Sequence, residues 1–253
     1  MRSYEKANPE KPVIDHLKGL GTKVEDVSSV SMSIIDAGNN YKKEEGVLPP
    51  KSFFVIVSGG EVRERDYFKI ISTQDRFRRI KIEFVADPNN LNPDGLLETA
   101  IYKQEHYKTS QEDEPDRIFI VSDVDHFMND LLRIRPICGK HGIKLIISNS
   151  CFEIWLYYGK FSEQPTDFSI PENYLKISSA FKNYLGGKVK GGVNPKYAIF
   201  DIQFAIQNAR AIYQEDKNGI PLLFSTNMYL LAESLLPHIK DELSKLITEN
   251  KDR

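Results

Sequence analysis

Two aspartates separated by a single residue are the strongest candidates for chemistry in this chain. Asp123 and Asp125 follow the apolar run Arg117–Ser122 (RIFIVS), which is typical of a buried β-strand. In an extended chain, side chains two residues apart face the same side, with Cα atoms roughly 6.5–7 Å apart. Carboxylates at that spacing suit Mg²⁺, which proteins hold through one or two carboxylates plus substrate phosphates. The alternative is a solvated acidic turn, because Asp is common where strands end.

A second acidic loop, Ser58–Glu64 (SGGEVRE), follows another apolar run. Its glycines allow positive φ and close approach of the backbone, and the N-terminus of a following helix attracts anions. Glu61 and Glu64 are therefore candidate catalytic acids, or else acids that complement the dipole of that helix. The loop has no G-K-[ST] and no full G-x-G-x-x-G, so it is a weak match to nucleotide-binding motifs.

A third polar segment, Ser148–Glu153 (SNSCFE), precedes the apolar residues Ile154, Trp155 and Leu156. Glu153 among such neighbours is either a functional carboxylate or a buried acid satisfied by a backbone partner. Cys151 has no flanking base in the sequence, and this pattern is typical of a small buried residue.

Basic residues cluster in a glycine-rich stretch, GGKVKGGVNPK. Lys188, Lys190 and Lys196 predict a flexible loop that contacts phosphates, with a solvated surface loop as the alternative. The chain as a whole carries 34 Lys and Arg against 36 Asp and Glu, a formal net charge of −2. Any contact with nucleic acid must therefore come from a local patch, because there is no overall basic footprint.

Four apolar, β-rich runs alternate with segments long enough for helices, which predicts a parallel sheet covered on both faces. In such sheets, ligands bind beyond the carboxyl ends of the strands, where the three polar segments described above lie. The chain after Cys151 is predicted to be mostly helical. The predicted strands are Ser52–Ser58, Ile80–Val85, Arg117–Ser122 and Ile143–Ser148, and the predicted helices are 64–78, 95–108, 127–141, 201–215 and 228–247.

The 253 residues suffice for one ample domain or a domain with an appendage. Prolines at positions 9, 12, 49 and 50 bracket residues 1–50, which are interpreted as an N-terminal extension of a domain spanning residues 51–253. No apolar stretch approaches the roughly 20 residues that span a bilayer, and the polar N-terminus has no signal-peptide core. We expect a soluble, cytoplasmic protein that does not bind membranes.

Taken in order, these segments resemble the RloB family, a toprim-type group linked to bacterial defence and restriction loci. The resemblance covers about residues 52–236, and its most specific part is SNSCFEIW at Ser148–Trp155. It also rests on the loop Ser58–Glu64 followed by Tyr67-Phe68, on Asp123-Val124-Asp125, and on FSTNMYLL at Phe224–Leu231.

The resemblance implies a toprim fold, a small parallel sheet between helices. Toprim enzymes use acids at the strand ends with Mg²⁺, or Mn²⁺ in its place, to cleave or join phosphodiesters. On this basis Asp123 and Asp125 are predicted metal ligands, and Glu153 is a further acid of the site.

The sequence departs from the family pattern E-G-E-x-T-E in the loop after the first strand. Gly59 stands where the toprim acid is expected, and Arg63 replaces the threonine. Glu61 lies beyond two glycines whose permissive backbone would let it reach a metal held by Asp123 and Asp125. Glu61 is therefore predicted to be the functional acid and a metal ligand, with Glu64 as the substitute.

Two functional hypotheses follow from the resemblance. The first is a metal-dependent nuclease of a bacterial antiviral defence system, acting on DNA or RNA with an ATPase or other sensor as partner. In it Arg63, Lys188, Lys190 and Lys196 neutralise the nucleic-acid backbone. The second is a catalytically degenerate toprim domain that binds nucleic acid or a partner ATPase as a regulatory component, which the glycine at position 59 favours.

Overall fold

A computed structural model of the chain describes residues 52–86, 92–110, 114–190 and 192–251. The predicted N-terminal extension, residues 1–50, lies outside the described residues.

A four-stranded parallel sheet forms the centre of the described chain. Its strands are β1 (Ser52–Ser58), β2 (Ile80–Val85), β3 (Arg117–Asp123) and β4 (Lys144–Ser148), in the order β2-β1-β3-β4. All three pairings are parallel, so the carboxyl ends of the strands meet at one edge. The α/β fold predicted from the alternating pattern is confirmed, and each strand lies within one residue of its predicted bounds.

Helices connect the strands and make up most of the chain after β4. They are α1 (Arg63–Thr73), α2 (Pro93–Thr109), α3 (Met128–His141), α4 (Glu153–Tyr158), α5 (Ile177–Lys188), α6 (Pro195–Ala198), α7 (Ile202–Ile212) and α8 (Met228–Lys251). None of those in the described chain has the length and apolar character needed to cross a bilayer.

The first helix ends five residues earlier than the sequence predicts. Gln74 has φ −103° and ψ 127°, an extended conformation that ends α1 at Thr73. A short 3₁₀ turn, Asp75–Phe77, then inserts Phe77 into the core before β2 begins. The apolar residues that suggested one longer helix therefore belong to two separate elements, α1 and the 3₁₀ turn.

The inner strands β1 and β3 are buried on both faces, which explains why they lack the alternation of a half-exposed strand. Along β1, Phe54 and Ile56 pack into the core shared with α1, α4, α5, α7 and α8. Phe53, Val55 and Val57 pack into the opposite core with α2 and α3. Each fully buried side chain of this size contributes roughly 1.5–3 kcal/mol, and the two cores together fix the positions of the strand ends.

The free edge of β4 is covered by the segment that contains Thr226 and Asn227. Thr226 bridges to Ser148, with their hydroxyls 2.8 Å apart. The side-chain oxygen of Asn227 accepts a hydrogen bond from the Ile147 amide at 2.6 Å, and its amide donates to the Leu145 carbonyl at 3.2 Å. Asn227 thus satisfies backbone groups that an uncovered edge strand would leave unpaired.

Candidate functional site

Three acidic side chains lie at the carboxyl edge of the sheet, each from a different element, and the charges of two of them act on the third. Asp123 is the last residue of β3, Glu64 is the second residue of α1, and Glu153 is the first residue of α4. Backbone hydrogen bonds fix the loops to one another: the Gly59 amide donates to the Val121 carbonyl at 3.2 Å. The parallel topology therefore brings together acids that are far apart in the sequence.

Glu64 turns its side chain back over the glycine loop. Its carboxylate fills the space next to the Gly60 Cα, so that a β-carbon at position 60 would overlap it. Glu64 is buried, with 8% of its surface exposed. Burial raises the pKa of its carboxyl group, and the negative charge of Glu153 raises it further.

Asp123 is subject to the negative charges of the other two acids. Burial of its carboxyl group, followed by the charges of Glu64 and Glu153, holds its pKa well above the ordinary value. The positive charge of Lys182 opposes these effects without cancelling them. Glu64 and Asp123 are therefore two carboxylates that repel each other in a poorly solvated setting, which a proton or a cation between them would relieve.

Glu153 is the most deeply buried acid of the site and is paired with two cations. Its side chain is 2% exposed, and Arg63 Nε lies 3.1 Å from Oε1 while Lys182 Nζ lies 3.7 Å from Oε2. Within the described chain, Oε1 accepts no hydrogen bond, so its contact with Arg63 is an ion pair alone. Of the two alternatives drawn from the sequence, a buried acid satisfied by the backbone does not describe this pairing, since its partners are side-chain cations.

Lys182 is a member of this site that the sequence analysis missed. It projects from α5, which docks on the loop after β4 through the Ser178 hydroxyl, a donor to the Ser150 carbonyl at 3.4 Å. Partial burial disfavours its charged form, but the charges of Glu153 and its neighbours outweigh this and raise its pKa. No motif surrounds Lys182, so only the docking of α5 reveals its role.

Asp125 has different surroundings from Asp123. Strand β3 ends at Asp123, and Asp125 has φ 28°, a left-handed conformation that is uncommon for a residue other than glycine. The extended geometry assumed for the D-x-D pair therefore stops at Asp123. The Asp125 amide donates to the Ser150 carbonyl at 3.3 Å, and its carboxylate lies 3.6 Å from His126 Nδ1.

The remaining predicted residues are Glu61 and three lysines. Glu61 is partly exposed in the turn before α1, and the prediction that it supplies the functional acid stays a prediction. Lys188 ends α5 instead of lying in a loop, and its ammonium forms an ion pair with Asp167. Lys196 lies 5.6 Å from the centre of its neighbour Tyr197's ring, and Lys190 is exposed.

Glu64 and Asp123 fit a hard divalent cation by the chemistry of their donor atoms. Both offer carboxylate oxygens, which Mg²⁺ and Mn²⁺ prefer, and their mutual repulsion would be relieved by such an ion. In the part of the chain that the structure describes, no group of three or more His, Cys, Asp or Glu side chains is arranged to hold a metal. A site built from this pair would need substrate oxygens and water to complete its coordination.

A cavity of the described chain lies away from the acids. It has a volume of about 620 Å³ and is lined by the first residues of three strands, Ser52, Arg117 and Lys144, and by Pro237 and His238 of α8. These residues mark the amino edge of the sheet. Glu64, Asp123 and Glu153 are not among the residues that line this cavity.

Comparison with known proteins gives one match. A family model described as RloB-like protein matches residues 54–235, a segment that contains Glu64, Asp123, Glu153 and Lys182. No curated protein and no solved structure matches the chain.

Proposed function

Because the chain belongs to the RloB-like family, we propose that it is a metal-dependent nuclease that hydrolyses phosphodiester bonds of nucleic acid. The observation that carries the proposal is the pair formed by buried Glu64 and partly buried Asp123 at the carboxyl edge of the sheet, where open α/β sheets bind their ligands. Asp125 and Glu61 border this pair in the sequence and are the next candidates.

Glu64 and Asp123 would hold a divalent cation between two facing loops. A cation bound there would polarise the scissile phosphate and orient the attacking water. Both acids have raised pKa values, so protons compete with the cation for them as the pH falls. The carboxylates act as ligands only in the ionised form, which predicts activity that rises with pH.

Arg63 and Lys182 supply the positive charge that a nucleic-acid backbone requires. Both are close to half exposed, at 46% and 44%, while the Glu153 carboxylate between them is buried. Glu153 is therefore proposed as a positioning residue, since its charge holds the two cations beside the acid pair. Their exposed sides would contact phosphate oxygens of the substrate.

Incubation of the purified protein with labelled DNA and tRNA in Mg²⁺ or Mn²⁺ tests the proposal. We expect metal-dependent cleavage that is lost in Asp123→Asn and retained in Asp241→Asn, a matched change at an exposed position of α8. Cleavage that survives Asp123→Asn would remove the acid pair from the reaction.

A second candidate function is a regulatory component that binds nucleic acid or a partner ATPase without turnover. The observation that favours it is Gly59, which leaves the end of β1 without the acid of the family pattern. This candidate predicts nucleic-acid binding without cleavage, and no uptake of Mn²⁺ in a calorimetric titration. If the chain proves inactive, Gly59→Glu tests whether restoring that acid restores cleavage.

A role in bacterial antiviral defence belongs to both candidates and rests on the family resemblance. The proposed partner is an ATPase or sensor encoded nearby. Co-expression of the chain with such a neighbour, followed by a phage-challenge assay with Asp123→Asn as the comparison, tests this role. Protection that requires Asp123 would support the nuclease.

A further inference from the structure

An exposed aromatic turn borders the acidic site. Tyr174 and Leu175 lie in the 3₁₀ turn Tyr174–Lys176 and are 43% and 62% exposed. The turn has a fixed shape, because the Asn173 side chain accepts a hydrogen bond from the Leu175 amide at 3.0 Å. It therefore presents apolar surface to solvent from a defined backbone.

Two hydrogen bonds to one carbonyl group connect the helix that follows this turn with the loop that carries Asp125. The Ser150 carbonyl accepts from the Asp125 amide at 3.3 Å and from the Ser178 hydroxyl at 3.4 Å. Tyr174 lies in the turn that leads directly into α5, four residues before Ser178, and burial and then the negative charge of Asp125 raise the pKa of its phenol. The aromatic ring is thus at the border of the acid cluster.

The same helix brings positive charge to this border. Lys176 is exposed at the end of the turn, and Lys182 extends from α5 to Glu153 with its side chain 44% exposed. Glu172 is also exposed, and it precedes the turn in the sequence. The aromatic ring of the turn suits a base, and the lysines beside it suit phosphates. A polynucleotide offers both groups to a site next to acids suited to a metal.

We infer that Tyr174 is a stacking platform for an unpaired base, and that the substrate is therefore single-stranded or loop-containing nucleic acid. The inference rests on the proposed function and narrows its substrate class. A base within a duplex is already stacked on its neighbours and cannot cover the tyrosine ring unless it is flipped out. An unpaired base stacks on an aromatic ring without regard to its identity, so the platform selects strandedness and not sequence.

Fluorescence anisotropy with three 12-nucleotide probes tests the inference. The probes are a labelled oligo-dT strand, an abasic strand of the same length, and a blunt duplex, all measured in the Asp123→Asn background to prevent cleavage. Tyr174→Ala is compared with Tyr174→Phe, which keeps the ring, and with Tyr102→Ala, which removes a 61% exposed tyrosine from α2.

We expect Tyr174→Ala to weaken binding of oligo-dT roughly fivefold or more, the range for loss of one stacked base. Tyr174→Phe and Tyr102→Ala should stay within twofold, and Tyr174→Ala should leave the abasic strand and the duplex unchanged. Unaltered oligo-dT binding in Tyr174→Ala, or an equal loss on the abasic strand, overturns the inference, and so does failure of all three probes to bind.

Cleavage by the unmodified chain is measured separately, so that the two failures are distinguishable. Tyr174-dependent binding without cleavage rejects the nuclease and keeps the platform. Cleavage with no effect of Tyr174 on binding rejects the platform and keeps the nuclease.

Discussion

The carboxylate of Glu64 occupies the space that a β-carbon at Gly60 would fill. The glycine is thus needed here for room beside the acid. Because the overlapping atoms belong to the end of a flexible side chain, a larger residue at position 60 would displace the carboxylate and leave the backbone in place. This relationship allows the position of the acid to be changed without altering the charge of the site.

Gly60→Ala should reduce metal-dependent cleavage at least roughly tenfold, about 1.4 kcal/mol of barrier, because it moves Glu64 away from Asp123. Its free energy of unfolding should change by less than about 0.5 kcal/mol, as for substitutions outside the core. Cleavage assays and urea unfolding measure the two effects.

Gly139→Ala is the matched control for this change, since no atom lies within 4 Å of its added β-carbon. It lies inside α3 and should gain up to about 1 kcal/mol of stability with unchanged activity. Full activity in Gly60→Ala would show that the placement of Glu64 does not matter to cleavage.

Asp123→Asn should stabilise the protein at pH 8 while abolishing cleavage. The pKa of Asp123 is raised in the folded state by burial and by Glu64 and Glu153, so the folded state binds its proton more tightly than the unfolded state. The free energy of unfolding therefore falls as pH rises from the unfolded pKa of about 3.9 through the raised folded pKa. Above the folded pKa the whole penalty is present, and Asn removes it.

Thermal unfolding at pH 5 and pH 8 measures this effect, with Asp241→Asn as the control. Each kcal/mol recovered should raise Tm by about 2–4 °C in a chain of this size, and the gain should be larger at pH 8 than at pH 5. A lower Tm for Asp123→Asn at pH 8 would contradict the repulsion between the acids.

Removing both cations beside Glu153 should be more damaging than removing the acid as well. In Arg63→Gln/Lys182→Gln, the buried carboxylate loses its two ion-pair partners, at 3.1 and 3.7 Å. Loss of the partner of a buried charge costs about 3–5 kcal/mol, and we expect the lower end because both cations are almost half exposed. Adding Glu153→Gln should recover much of that loss.

Urea unfolding of the double and the triple variant gives the comparison directly. A triple variant as unstable as the double would show that the two cations do not compensate for the charge of Glu153. Single variants should each lose less than half as much as the double, because the remaining cation still faces the carboxylate.

The sheet and the loops at its carboxyl edge could be predicted because they depend on local composition. The runs that form β1 and β3 are mostly apolar, and parallel pairing then places Ser58–Glu64, Asp123 and Ser148–Glu153 at one edge. Local composition also identified Glu153, because it is an acid beside apolar residues.

The contacts within the site could not be predicted from the sequence. The side chain of Glu64 folds over Gly60, and its charge acts on Asp123; this side-chain conformation leaves no pattern in the sequence. Lys182 comes from α5, which packs Phe181 and Leu185 into the core and contacts the loop after β4 through a hydrogen bond between Ser178 and Ser150. The left-handed backbone of Asp125 likewise has no signal in the D-x-D motif, which by itself suggests continued strand.

Comparison of Glu64→Gln with Glu61→Gln in the Mg²⁺-dependent cleavage assay is the most direct test of the central claim. Both substitutions keep the size of the side chain and remove one charge from the same loop. If Glu64 and Asp123 form the metal-binding pair, Glu64→Gln loses at least roughly tenfold in rate, about 1.4 kcal/mol, and Glu61→Gln keeps its activity. Loss of activity in Glu61→Gln together with full activity in Glu64→Gln would contradict the account and return the role to Glu61.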